Sequence, residues 1–174
     1  ERELQDEINK YLNVKEIIAI IGTRQCGKTT LINKLLDEIE KKGKKIKRVS
    51  FDNIKELKLF EDDIDSFINL NVKNFDYLFI DEVHYSKDGG KRLKYIYDSH
   101  KIKIIISGSS APEISIQSLK YLVGRIFLFY LYPFSYKEFI KAKDEKLEEV
   151  YIKGIYKEEI LQRSKHNLRA QYSS

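Results

Sequence analysis

Three groups of residues are of the types that handle a phosphorylated ligand, and they fall at separated points along the chain. The first is Gly22-Thr23-Arg24-Gln25-Cys26-Gly27-Lys28-Thr29, followed by Thr30, which fits G-x-x-x-x-G-K-[ST] at every fixed position. A triphosphate needs many hydrogen-bond donors in a small concave space. The backbone N–H groups of a loop that opens a helix supply them, and the helix N-terminus adds a favourable field. Gly22 and Gly27 allow a close backbone approach that a Cβ would block. Lys28 is placed to reach the β- and γ-phosphates, and the Thr29 hydroxyl to ligate Mg²⁺. The second group is Asp81-Glu82, at the end of the apolar run Tyr77-Leu78-Phe79-Ile80. A strand buried on both faces tolerates carboxylates only at its C-terminal end, in the crevice where α/β sheets bind ligands. There Asp81 would hold Mg²⁺ and Glu82 would polarise an attacking water as general base. The third is Ser107-Gly108-Ser109-Ser110, closing the run Ile102 to Ile106. Ser107, with Ser109 next, is the candidate to contact a γ-phosphate or the water. A serine turn capping the next helix is the other reading of the same residues.

Two further residues stand near these groups. His84, three residues after Asp81, completes a helicase-like Asp81-Glu82-Val83-His84 or is a surface histidine beside the site; it reads as a local positioning or coupling residue before a catalytic one, and as a metal ligand only with a partner motif that is not evident. Arg125, before the last apolar run, is either a group that stabilises transition-state charge or reaches a neighbouring subunit, or a surface arginine at a strand start. Cys26 lies inside the loop, so a bound nucleotide should protect it from alkylation.

The elements that must position these residues follow from periodicity. Ile17 to Ile21 reads as a buried strand. Leu31, Ile32, Leu35, Leu36 and Ile39 mark a helix face that Gly43 stops, with Lys41 and Lys42 in the last turn. Residues 45–52 read as a strand ending at Asp52, and Leu57, Phe60, Ile64, Phe67 and Ile68 as one face of a single helix over 57–70. Asp88-Gly89-Gly90 reads as a loop, and Leu93, Ile96 and Tyr97 as a helix face through His100. Ile126 to Tyr132 reads as a last buried strand ended by Pro133, with Ser135 and Glu138 as a capping box. Leu4, Ile8, Tyr11 and Leu12 give a short N-terminal helix over 1–13. The domain proper spans 14–140, and 141–174 is a charge-rich helical tail or the truncated start of a C-terminal region.

Composition bounds the rest. At 174 residues, 42% hydrophobic and 34% charged, one soluble globular domain is expected. No apolar run approaches the ~18 residues of a membrane helix, and the charged start shows no signal peptide, so a cytoplasmic location without membrane contact is expected. The single cysteine excludes an internal disulfide. With no methionine, the chain reads as a trimmed or partial form. The net charge of +5 is concentrated in Lys41 to Arg48. A nucleic-acid patch there has weak support, because no aromatic interleaves with the charges as stacking requires.

Five strands alternating with helices imply a three-layer α/β sheet, all parallel. A polar strand end lying between the glycine loop and the acids makes the expected order 5-1-4-3-2, the additional-strand type of P-loop NTPase. On the words Gly22 to Thr30, Asp81-Glu82-Val83-His84, Leu93 to Asp98, Ser107 to Ala111, and Gly124-Arg125 with Tyr132 to Phe139, the sequence resembles the prokaryotic AAA-type ATPases related to the archaeal ATPase and STAND-like branches. The resemblance covers residues 14–140. It implies ATP and Mg²⁺ as ligands, hydrolysis that drives a conformational change, the roles given above for Lys28, Thr29, Asp81, Glu82 and a serine of the Ser107 segment, and a role for Arg125 at the nucleotide or between subunits. A homo-oligomer or a C-terminal effector region is the partner it implies. Two features depart from the family: Gly89-Gly90 stand where a tryptophan is common, and the chain stops before a winged-helix or nuclease-like region would fit. A nucleotide-gated switch with negligible turnover remains an alternative, as does a helicase-like fragment acting on nucleic acid. A GTPase would want an Asn-Lys-x-Asp reader after a late strand, and a small-molecule kinase an arginine-rich lid; neither is present.

Overall fold

In a computed structural model of the chain, residues 3–23, 26–109 and 120–132 are described. Arg24, Gln25, Ser110, Ala111, the Pro133–Phe139 words with their capping box, and the 141–174 tail lie outside them.

The five strands β1 (Ile17–Gly22), β2 (Ile46–Ser50), β3 (Tyr77–Asp81), β4 (Lys103–Ser109) and β5 (Ile126–Leu131) form one parallel sheet in the order β2-β3-β4-β1-β5. This is the expected order 5-1-4-3-2, with β4 inserted between the loop strand and the acidic strand. Because all strands run the same way, every strand C-terminus lies at one end of the sheet. The helices are α1 (Glu3–Asn9), α2 (Lys28–Lys41), α3 (Ile54–Asp62), α4 (Ile64–Asn71) and α5 (Gly89–Ser99). None of the described helices is long and apolar enough to cross a membrane.

Strand alternation divides the core into two layers. Ile17, Ala19, Ile21, Leu78, Ile80, Ile104 and Ile106 pack on the side of α3, α4 and α5 with Phe51, Phe60 and Phe67. Ile18, Ile20, Phe79 and Ile105 pack on the side of α1 and α2 with Leu31, Leu35 and Leu36. Burial on both faces explains why the central strands read as unbroken apolar runs. It removes the central isoleucines wholly from water, each worth about 1.5–3 kcal/mol. Arg2–Leu131 form one compact unit.

Four elements differ from expectation. The helix expected over 57–70 is two, broken at Asp63 (φ −139°, ψ 82°), whose carboxylate accepts from the Ser66 N–H and starts α4 afresh. Hydrogen bonding to Ser66 holds the Asp63 carboxyl below its usual range. Gly89 and Gly90 are not loop but the buried first residues of α5; a Cβ on Gly89 would lie 3.3 Å from the Ser86 Cβ, so the helix start needs a small residue there. β2 ends at Ser50, two residues short of Asp52, with Phe51 folded into the core. β5 is an edge strand: Phe127 and Phe129 pack on Tyr11, while Leu128 and Tyr130 on its other face are exposed. The Gly43 stop is a left-handed turn (φ 77°) in which Gly43 and Lys44 N–H return to the carbonyls of Glu40 and Ile39.

The segment entering β1 is pinned from the sheet. Lys103, at the start of β4, is 8% exposed and donates to the carbonyls of Tyr11 and Val14 at 2.8 Å and to that of Glu16. Three N–H donors meet three acceptors. Burial pushes the Lys103 ammonium down to about 8, against the attraction of Glu16.

Candidate functional site

The strand register sets two levels at the C-terminal end of the sheet. Gly22 lies level with Ser109 on one side and Leu131 on the other. Ile80 pairs with Ile106 and Ile20 with Ser107, which brings Asp81 level with Ser107 two residues lower. Asp81 and Ser107 share the strand face of Tyr77, Phe79 and Ile105, which is the α2 side. The acids therefore open toward the helix that begins with Lys28 and Thr29.

The loop is shaped by two glycines for different reasons. A Cβ on Gly22 would meet the Cys26 Sγ at 2.7 Å and the Leu131 carbonyl oxygen at 2.7 Å. Gly27, the residue capping α2, has φ 85° and ψ 20°, a left-handed conformation open to glycine at no steric cost. The capping residue, a glycine, has no side chain to offer the first-turn amides of α2. Thr23, Thr29 and Thr30 are exposed around this opening.

Lys28 does not extend into solvent. Its Nζ donates to the Gly108 carbonyl at 3.0 Å and lies 3.7 Å from Glu82 Oε1. Glu82 has φ 50° and ψ 45°, the one positive φ outside glycine among the described residues. Left-handed backbone costs an ordinary residue about 1–2 kcal/mol, and here it turns the residue after β3 out of the strand line toward Lys28. Its other oxygen, Oε2, is 3.0 Å from His84 Nδ1 on the 3-10 turn Val83–Tyr85. Asp81 Oδ1 accepts from the Ser107 hydroxyl and from the Glu82 N–H at 3.0 Å. The donors on offer to a cation, a carboxylate and a hydroxyl, are hard oxygens of the kind magnesium takes.

The geometry thus brings Lys28, Asp81, Glu82, Ser107 and His84 together beside Gly22 and Gly27, and it bears on three expectations. Ser107 is fully buried with its hydroxyl on Asp81; Ser109, at the strand tip level with Gly22, is the half-buried serine. Arg125 stands before Ile126, which pairs with Ile17, at the start of the strands. The six residues of β1, five steps along the strand, separate it from the loop by about 16 Å, and its guanidinium is held by Asp98 at 3.0 Å. Cys26 is 4% exposed and packs into the core on the α2 side, so its thiol faces away from the opening. Sequence reasoning missed Gly108 as a partner of Lys28. A backbone acceptor leaves no signature in residue type.

A family model described as "AAA domain" matches residues 14–140. The chain belongs to the AAA-type P-loop ATPase family. This AAA domain is 28% identical over 181 residues to an uncharacterized protein of Methanocaldococcus jannaschii, covering 98% of the chain and 37% of that relative. It thus spans little more than a third of the relative's length. Among solved structures, it is similar to a "DNA replication initiation factor" (TM-score 0.60, 23% identity, 86% of this chain and 50% of that one). It is also similar to AMPPCP-bound DnaA from Aquifex aeolicus (TM-score 0.59, 20% identity, 85% and 53%). At these identities the likeness is one of fold.

Proposed function

We propose that this AAA domain binds Mg-ATP at the end of the sheet where α2 begins, and hydrolyses it to drive a conformational change. The observation that carries the reading is the convergence of Lys28, Glu82 and the Gly108 carbonyl within 3.7 Å beside a glycine-shaped loop. A lysine ammonium placed against a carboxylate and a carbonyl is a cation kept at the site by groups it can leave for a more highly charged phosphate. The loop backbone from Gly22 through Gly27 to Thr30, including Thr23, Arg24, Gln25 and Cys26, would donate to the phosphates, with Lys28 on the β- and γ-oxygens. The Thr29 hydroxyl and Asp81 would hold Mg²⁺. Ser107 and the Glu82 N–H both occupy Asp81 Oδ1, which leaves Oδ2 for the cation. When bound, the cation neutralises charge on the β- and γ-oxygens. Glu82, released by Lys28, would accept the proton of the attacking water, and Ser109 would stand nearest the γ-phosphate. The AMPPCP carried by the DnaA of similar fold supports nucleotide as the ligand.

A nucleic-acid partner has less support. In the basic run, Arg48 is paired with Glu40 at 3.1 Å and Asp37 at 3.5 Å, and Lys44 lies 3.8 Å from Asp76, so part of its charge is spent within the domain. A homo-oligomer or a C-terminal effector region remains the expected recipient of the cycle.

Calorimetry with Mg-ATP and single-turnover hydrolysis test the reading. Lys28→Ala should lower affinity about 100-fold or more, and Glu82→Gln should bind normally but hydrolyse about 10²- to 10⁴-fold more slowly. Undiminished affinity in Lys28→Ala would contradict the site. Equal rates in wild type and Glu82→Gln would leave a nucleotide-gated switch as the function.

A further inference from the structure

We propose that His84 is a positioning residue for Glu82, holding the carboxylate in place once Lys28 has turned to a nucleotide. This rests on the reading of Glu82 given above. Glu82 leaves β3 in a left-handed conformation, so the strand no longer dictates where its side chain points. What it meets does. Oε1 faces Lys28 at 3.7 Å and Oε2 faces His84 Nδ1 at 3.0 Å. Oε2 and Nδ1 are both sealed from water, neither is aligned in a hydrogen bond, and each has the other as its near polar neighbour.

The two tethers differ in how easily they move. Lys28 carries a point charge on a flexible four-carbon stem and has a reason to leave when phosphate arrives. His84 has neither freedom. It is fixed on the 3-10 turn Val83–Tyr85, its ring packs on that of Tyr85 with centroids 4.4 Å apart, and a Cβ on Gly108 would lie only 3.6 Å from Nδ1. The imidazole is thus wedged between the turn after β3 and the tip of β4. A ring that carries its proton on Nδ1 would have Oε2 as its acceptor, 3.0 Å away. Without it, the loaded site would contain a Glu82 with no fixed partner on either oxygen.

The full chain serves for the test, as wild type, His84→Asn (which keeps a donor near the place of Nδ1), His84→Leu and Glu82→Gln. Mg-ATP affinity should stay within about 3-fold of wild type in the two His84 variants, while single-turnover hydrolysis falls roughly 10- to 100-fold in His84→Leu and largely recovers in His84→Asn. Nitrogen-15 spectra of the three histidine rings should show His84 protonated on Nδ1, shifted by Glu82→Gln and retained when β,γ-methylene ATP is added. Wild-type turnover in His84→Leu beside an inactive Glu82→Gln would overturn the His84 role alone. Equal rates in wild type and Glu82→Gln would overturn the base, and the spectrum would then decide the contact by itself. A proton on Nε2 that is indifferent to Glu82→Gln removes it. The spectrum reads the wild-type fold, so it decides even where the leucine variant does not fold.

Discussion

Gly22→Ala adds one methyl group at the point where the loop leaves β1. Its Cβ would lie 2.7 Å from the Cys26 Sγ, 2.7 Å from the Leu131 carbonyl oxygen and 3.2 Å from the Leu131 Cβ. The first two contacts fall roughly 0.8 Å or more inside ordinary carbon contact of about 3.5 Å. One obstacle is a side chain, and the other is the backbone of β5, held in register by its pairing with β1. Overpacking of this kind costs about 1–3 kcal/mol, and an immovable backbone atom puts the expectation in the upper half of that range. For a unit of about 130 residues, an unfolding entropy of ~2.1 cal/mol/K per residue gives ~0.27 kcal/mol/K, so 2–3 kcal/mol lowers Tm by about 7–11 °C. Adding Cys26→Ala removes the sulfur but not the carbonyl. The double variant should therefore regain less than the whole loss, measured against Cys26→Ala alone by calorimetric unfolding. Because the strain falls on the loop, Mg-ATP affinity should drop in the folded protein as well. A Gly22→Ala protein that melts with wild type and binds Mg-ATP as tightly would refute the reasoning.

Two other outcomes are expected. Lys103→Met leaves the carbonyls of Tyr11, Val14 and Glu16 without their donor and should destabilise the domain by about 2–4 kcal/mol in urea unfolding. The folded Lys103 pKa, near 8, lies below its ordinary 10.5, so between these values the unfolded chain binds more protons. Its contribution is full above pH 10.5 and is lost as pH falls through 8, and wild type should gain stability relative to the methionine variant from pH 8 to 10; a parallel pH profile would count against burial of the ammonium. Arg125→Ala, at the far end of the strands and paired with Asp98, should leave Mg-ATP affinity and single-chain turnover within about 2-fold of wild type. A loss above 10-fold that appears only at high protein concentration would place the arginine in a neighbouring subunit's site, and a loss at all concentrations would contradict the geometry.

The loop, the acids and the strand order were legible because the chemistry confines them to short contiguous stretches. Gly22 to Thr29 carries its own context, and carboxylates at the end of an apolar run have one place to go in a sheet covered on both faces. The break at Asp63 was hidden because Phe60, Ile64 and Phe67 keep one apolar spacing across both helices; the acid-rich Asp62-Asp63-Ile64-Asp65 was the capping signal. Arg125 could have been placed from direction alone, since a residue before a parallel strand must lie opposite the loop that follows one. Cys26 could not have been placed. A loop has no periodicity to say which way a side chain turns, and only its neighbours Gly22 and Leu131 decide that it faces inward.

Glu82 is where local preference and structure disagree most. A glycine there would take φ 50° without strain, and a β-branched or long residue ordinarily continues the strand or enters the turn with negative φ. A non-glycine residue holds such a conformation only when its surroundings over-determine it. Here they do: its N–H is bound by Asp81, one carboxylate oxygen faces Lys28, and the other faces His84. The strain is therefore met by the same polar groups that the ligand would rearrange. Drawing Lys28 away removes one support and leaves Asp81 and His84 to carry the residue. On the proposed reading the carboxylate would then be free on the side that faces the loop, while the backbone stays pinned to the strand end by Asp81.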